Sequence, residues 1–454
     1  MLKAIEQARN EMNGATNKCN RWKLWLSVAA CGWLLGACQM NHPTQAARLK
    51  NSAPCAVALT PHRGAERVDA EIIRLQQAVQ QAEQRAADTA PTLERLGWAF
   101  IEKARRSYDP GFYKLAEQCA ACLQQQHERT QKTARSYEAL LLRGHVLQNL
   151  HRFKEAEPLA RELADRRGLH FDHALLGDVL MEQGRLDEAA AAYQKMMDLK
   201  PGLQAYSRAA HLRWLKGDLD GAREMIALAV QAASPRDAEA AAWVYTRAAL
   251  YEWQASVMKT ARASCDAALQ TLPDYAPALL LQGRLLLAAD KASEAVAPLQ
   301  RAAQLNPLPE YQWTLADALR EAGREAEARA IEAQLAAHGA TDDPRTYALY
   351  LATRGTPGVL AVKLAEAERA ARADVFTLDA QAWALARAGR TDEAQGLMRR
   401  ALAAGTRDAR LHFHAALIAA QTGDAHTARQ QRKLAKALQH MLLPSERAQL
   451  SQLQ

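Results

Sequence analysis

The chain of 454 residues is 49% hydrophobic and 24% charged, with a formal net charge of +8. That balance excludes a disordered chain, a collagen and a protein of many membrane spans, whose compositions lie far from the globular average. Aromatics make up only 6% and alanine is abundant. Because alanine is the least costly residue to place in a helix, an all-α fold is expected.

Arg21 and Lys23 lead into an uncharged run from Leu24 to Ala37. The run is shorter than the roughly 20 residues of a spanning helix and fits the apolar core of a secretory signal. It ends Leu35-Gly36-Ala37-Cys38, which resembles the lipobox of bacterial lipoproteins. The resemblance implies that residues 1–37 are a signal peptide and that Cys38 is acylated, giving a durable membrane anchor, since several acyl chains hold far better than one. An uncleaved anchor or a simple secretory signal is the alternative. Gln39 stands where an aspartate is the usual retention signal; the resemblance therefore implies a cell-envelope protein on the outer membrane, facing the periplasm. Translation could begin at Met1 or Met12. Residues 38–66 contain Pro43, Pro54, Pro61 and Gly64 without apolar periodicity and read as a flexible tether, with Cys55 in it as an unpaired exposed thiol. Val68 to Ala87 places Ile72, Leu75, Val79 and Ala82 on one face and predicts a leading cap helix.

From residue 92 the chain repeats. An alanine follows a turn by about five residues, as in Gly184-Arg-Leu-Asp-Glu-Ala189 and Gly389-Arg-Thr-Asp-Glu-Ala394. This ruler gives Ala156, Ala189, Ala222, Ala261, Ala295, Ala328, Ala361, Ala394 and Ala428, with spacings of 33, 33, 39, 34, 33, 33, 33 and 34. Twelve positions earlier stands a small residue in most copies, for example Gly144, Gly177, Gly283 and Ala382. A helix–turn–helix period of 33 to 34 resembles the tetratricopeptide repeat, in which small residues let two helices cross closely. A diverged first copy, from Leu93 to Ala120, carries about seven extra residues in its turn. The resemblance implies a right-handed superhelix (α-solenoid) of about ten helix-turn-helix repeats over residues 67–454, with polar caps at both ends and residues after Pro444 closing the far one.

Each first helix has a second stripe, at 18, 15, 11 and 8 positions before the ruler alanine. In tetratricopeptide families that stripe lines the concave groove. Trp98, Trp214, Trp243, Trp253, Trp313 and Trp383 all fall on it, with His211, Arg284, Arg320, Tyr350 and Phe413, and also His145, Phe171 and Phe376. So much aromatic surface would exceed the apolar patch of a lone soluble protein, so a protein or peptide partner is expected in the groove. The competing arrangement packs the rings between adjacent first helices.

Motifs for catalysis are missing: no His-Glu-x-x-His, no phosphate-binding Gly-rich loop and no paired Cys-x-x-Cys. Cys119-Ala-Ala-Cys122 allows a local disulfide or close apolar packing, and a redox or metal-dependent protein using this pair is the alternative from another class. His170 with His173 lacks a third ligand, and His412 with His414 faces opposite ways. The expectation is a non-catalytic adaptor without cofactor or metal and without a nucleic-acid track, serving assembly, secretion or export machinery. Self-association as a scaffold is the third reading.

Overall fold

The computed structural model describes residues 53–131, 135–355 and 358–453. The signal peptide 1–37, Cys38 and the first part of the expected tether lie outside the described residues. Among the described residues there is no strand. Helix α1 (Ala53–Ala58) and cap helix α2 (Arg67–Gln84) precede ten hairpins. These pair α3 (Ala90–Ser107) with α4 (Gly111–Gln131), α5 (Tyr137–Asn149) with α6 (Phe153–Arg166), α7 (His170–Glu182) with α8 (Leu186–Leu199), α9 (Leu203–Leu215) with α10 (Leu219–Gln231), and α11 (Ala238–Gln254) with α12 (Met258–Thr271). The array continues with α13 (Ala276–Leu287) and α14 (Ala292–Leu305), α15 (Pro309–Glu321) and α16 (Glu325–Asp342), α17 (Pro344–Arg354) and α18 (Val359–Ala371), α19 (Val375–Arg387) and α20 (Thr391–Leu402), α21 (Ala409–Gln421) and α22 (Ala425–Ala437). A last helix, α23, spans Pro444–Gln452.

The ruler alanines sit where helices touch. Those from Ala156 to Ala394 are completely buried, and only Ala428, in the terminal hairpin, keeps some exposure. The small residues have the steric role the spacing suggests. A Cβ on Gly177 would lie 2.3 Å from the Tyr193 ring, and one on Gly283 would lie 2.3 Å from Leu299, each on the hairpin's own second helix. At Gly144 the obstacle is Leu175 of the next hairpin, at 2.5 Å. The extra residues of the first copy lengthen α3 to 18 residues instead of enlarging its turn.

The N-terminal segment departs from the sequence reading. Residues 53–66 are built into the body: Cys55 is completely buried and forms a disulfide with Cys122 of α4. The Gln76 side chain donates to the carbonyls of Ala58 and Thr60 and accepts from the His62 amide, and His62 meets Asp69 at 2.7 Å. The tether reading overlooked that a cystine can hold a proline-containing stretch which has no apolar period of its own.

A second departure sets the shape. The array coils tightly enough for its later hairpins to rest on earlier ones. Ala373 donates its amide to the Glu182 carbonyl, Arg372 bonds Glu182 across a separation of 190 residues, and Thr406 bonds the Leu215 carbonyl across 191. Successive turns of the superhelix therefore meet after between five and six repeats. Two glycines make this approach possible. Gly184 and Gly217 have φ of +75° and +81°, ending their first helices, and a Cβ on either would strike the opposing carbonyl of Ala373 or Gly405 at 2.5 and 2.4 Å. The C-terminal helix is likewise no simple end cap. Ser445 bonds Asp317, Arg447 bonds the Leu287 carbonyl and Gln449 bonds that of Thr353, so α23 lies across three earlier first helices.

Candidate functional site

This coiling decides where the stripe residues go. Trp253 and Trp313 are 1% exposed and Trp383 is fully buried, as are Phe413 and, nearly so, Tyr350. Trp253 is covered by Arg284 at 5.2 Å and by His440, which bonds the Trp253 carbonyl; Arg410 lies 4.9 Å above Trp313. Trp383 stacks on His414 at 4.1 Å and donates to Thr353 Oγ1, with Phe413 5.6 Å away. Tyr350 packs edge-on against Trp313. The expectation that these rings form an exposed row is corrected: neighbouring first helices enclose Trp383, Tyr350 and Arg410 cover Trp313, and His440 of the next turn closes over Trp253. Arg320 is also removed from any groove role by Glu332 at 2.9 Å and Glu325 at 3.1 Å. Trp98 is half-buried against His145, away from the other rings.

What remains open is the concave side of the N-terminal half. A cavity of about 520 Å³ there is lined by α9 and α11 residues including Leu203, Ser207, Arg208 and Trp243, with Asp178 of α7 opposite. Trp243 is 39% exposed. A second cavity of about 400 Å³ has walls from both turns of the superhelix: His211, Trp214, Arg247 and Arg284 from the first, Arg345, Phe376 and Arg410 from the second. The two cavities share Met181, His211 and Arg247. Trp214 joins the turns directly, stacked on Phe376 at 5.6 Å and on His211 at 5.4 Å.

The cavities are lined with charge, almost all of it neutralised within the protein. Arg208 clasps Asp178 with two contacts of 2.7 Å, Arg105 meets Glu239, Arg284 meets Glu310, Arg345 meets Asp374, Arg372 meets Glu182 and Arg410 meets Glu446. Asp237 and Asp408 cap helix N-termini, and Asp379 holds His414. Among the described residues Arg247 alone of these arginines has no carboxylate. Its Nη2 meets His211 Nδ1 at 2.7 Å and donates to the Tyr251 hydroxyl at 3.2 Å. The sequence reading missed Arg247 and Arg208, although both stand 14 positions before their ruler alanine, a helical neighbour of the stripe.

Enclosure and the Arg247 charge push the His211 pKa down to about 3, and enclosure pushes that of His145 down to about 4. Both imidazoles are neutral in the fold but titrate near 6.5 when unfolded. Their contribution is thus complete above pH 6.5 and is lost as pH falls towards 4 and 3, at up to ~1.4 kcal/mol per pH unit for each. Asp317, raised to about 6 by burial, acts oppositely, gaining stability as pH falls from 6 towards 4. The two histidines outweigh it, so urea midpoints are expected to fall between pH 7 and 4.5, and His145→Gln with His211→Gln flattens that decline. An unchanged pH profile in the double variant would contradict this assignment.

The cysteines do not form the pair suggested by their spacing. Cys122 is bonded to Cys55, while Cys119 is a buried thiol whose pKa burial pushes up, which leaves it unreactive. Cys265 is core, donating to the Ala278 carbonyl. His412 and His414 are both buried, on Gln431 and Asp379. Among the described residues no group of three or more His, Cys, Asp or Glu could hold a metal ion, and no helix is long and apolar enough to cross a membrane.

Residues 173–202, from α7 through α8, match the family model of the tetratricopeptide repeat. The fold is an all-α tetratricopeptide superhelix. Among solved structures, the chain is similar to the human IFIT1 dimer with PPP-AAAA at 13% identity and a TM-score of 0.46, over 82% of this chain and 90% of that one. It is similar to a monomeric IFIT1 mutant with m7Gppp-AAAA at 12% identity and 0.47, over 86% and 94%. The APC/C hetero-tetramer Cut9-Hcn1 matches at 13% identity and 0.32, over 85% and 96%. No curated protein matches the sequence. At these values the structural likenesses say nothing of this chain's own ligand.

Proposed function

We propose that this tetratricopeptide protein is a non-catalytic adaptor of the bacterial cell envelope, lipid-anchored through Cys38, that holds a partner polypeptide on its open concave half. Repeat superhelices of this type serve protein–protein interaction in general; the observation that favours this surface is Trp243, a large half-exposed ring over the 520 Å³ cavity. An aromatic anchor beside paired charges is the composition of a binding hot spot. The Cys55–Cys122 disulfide supports an oxidising compartment, in keeping with export. Assembly, secretion or export machinery is the client class proposed. Cross-linking in intact cells compares wild type with Trp243→Ala. Loss of a cross-linked polypeptide at unchanged helicity is the expected result, and equal capture by both proteins would sink the reading.

A further inference from the structure

We infer that the inner cavity is a binding site for a small organic carboxylate, received by Arg247. The proposal goes beyond the adaptor reading, because the occupant is a small molecule held between two turns of the superhelix and not a polypeptide on the open half.

Each of the other arginines on the two cavities touches a carboxylate, whereas Arg247 touches only an imidazole and a phenol. His211 accepts the Arg247 hydrogen bond at Nδ1 and so carries its own hydrogen on Nε2, which makes it a second donor. A guanidinium left without an anion in a partly desolvated site is costly, and a ligand carboxylate meets its fork with parallel N–H bonds. The same walls carry Asp379 and Asp408, which among the described residues pair with no guanidinium, so the site as a whole has no excess of positive charge and an anion is received locally, at the Arg247 fork. A phosphate dianion brings a second negative charge into walls that already hold Asp379 and Asp408, which disfavours it against a monoanion.

The indole N–H of Trp214, on the same cavity, is buried and finds no acceptor in the protein. That nitrogen is sealed within the wall, so the Trp214 ring offers the occupant apolar surface and no donor. Leu250, Leu349 and Phe376 supply apolar wall for the body of such a molecule, and about 400 Å³ is the size of a small-ligand pocket and far less than a folded segment needs. Leu250 belongs to α11 of the first turn, and Leu349 and Phe376 to α17 and α19 of the second, so a bound molecule touches both turns and stabilises their contact.

Calorimetric titration of the full-length protein with phenylacetate, phenylacetamide and inorganic phosphate tests this. Phenylacetate is expected to bind and to raise the melting temperature, the amide to bind at least about tenfold more weakly, and phosphate more weakly than phenylacetate. Arg247→Met is expected to abolish the preference for the carboxylate, and Arg247→Lys, which keeps the charge and loses the fork, to retain part of it at unchanged helicity. Trp243→Ala leaves the affinity for phenylacetate intact, which separates this site from the adaptor surface. Absence of phenylacetate binding, equal binding of the amide, a preference for phosphate, or undiminished binding by a folded Arg247→Lys and Arg247→Met pair overturns the proposal.

Discussion

Trp383→Ala is expected to lower the unfolding free energy by about 4 kcal/mol, the range for emptying a fully buried aromatic site. The ring has no exposed surface and meets four different kinds of partner: the Thr353 hydroxyl, the His414 imidazole, the Phe413 ring and the Arg387 guanidinium at 5.5 Å. Its removal also disturbs the buried pair behind it, since His414 is held on Asp379 at 2.9 Å. The surrounding first helices are fixed by the hairpins on either side and collapse little into the space. Trp243→Ala, at a half-exposed ring, should cost well under 1 kcal/mol by comparison. Urea titrations followed by circular dichroism separate the two. Equal midpoints would mean that the burial of Trp383 between neighbouring first helices has been misjudged.

Removing the Cys55–Cys122 bond by double replacement with serine should cost about 4 kcal/mol, from the chain entropy that a closed loop of this size denies the unfolded state. The separation of 67 residues is the source of that magnitude. Helix α1 has six residues, too few to persist without support, and its attachment otherwise rests on the buried Ala58 and Leu59 and on the Gln76 and His62 contacts. Hydrogen exchange should therefore rise steeply over residues 53–66 in the variant and in the reduced protein, while α5 to α22 keep their protection. Slow exchange over 53–66 after reduction would show that the segment needs no cystine.

The ten hairpins were legible because their signal is local. A turn glycine, an alanine five residues later and a small residue twelve before it each answer to a contact within one hairpin or with its neighbour, and the period carries that information along the chain. The contacts that govern the candidate site are not local. Nothing near Leu215 announces that Thr406 will bond its carbonyl, and nothing near Trp253 announces His440. The same stripe therefore yielded one exposed ring, Trp243, one half-buried ring, Trp98, and four buried ones, Trp214, Trp253, Trp313 and Trp383, with no difference in their sequence signature. Cys55 and Cys122 are a similar case, since the nearer Cys119 made the wrong pairing look natural. Arg247 could have been found by extending the stripe to its helical neighbour at 14 positions before the alanine.

The meeting of residues about 190 apart acts like a screw thread. Inserting or deleting one repeat between hairpins three and nine would carry every later unit past its seat by a whole notch, so Ala373 and Gly405 would face the wrong turns. An open solenoid can gain or lose units one at a time. In this chain the number of repeats is fixed by the thread, and lengthening is tolerated only beyond its ends or as irregularities inside a unit, such as the 39-residue spacing before Ala261.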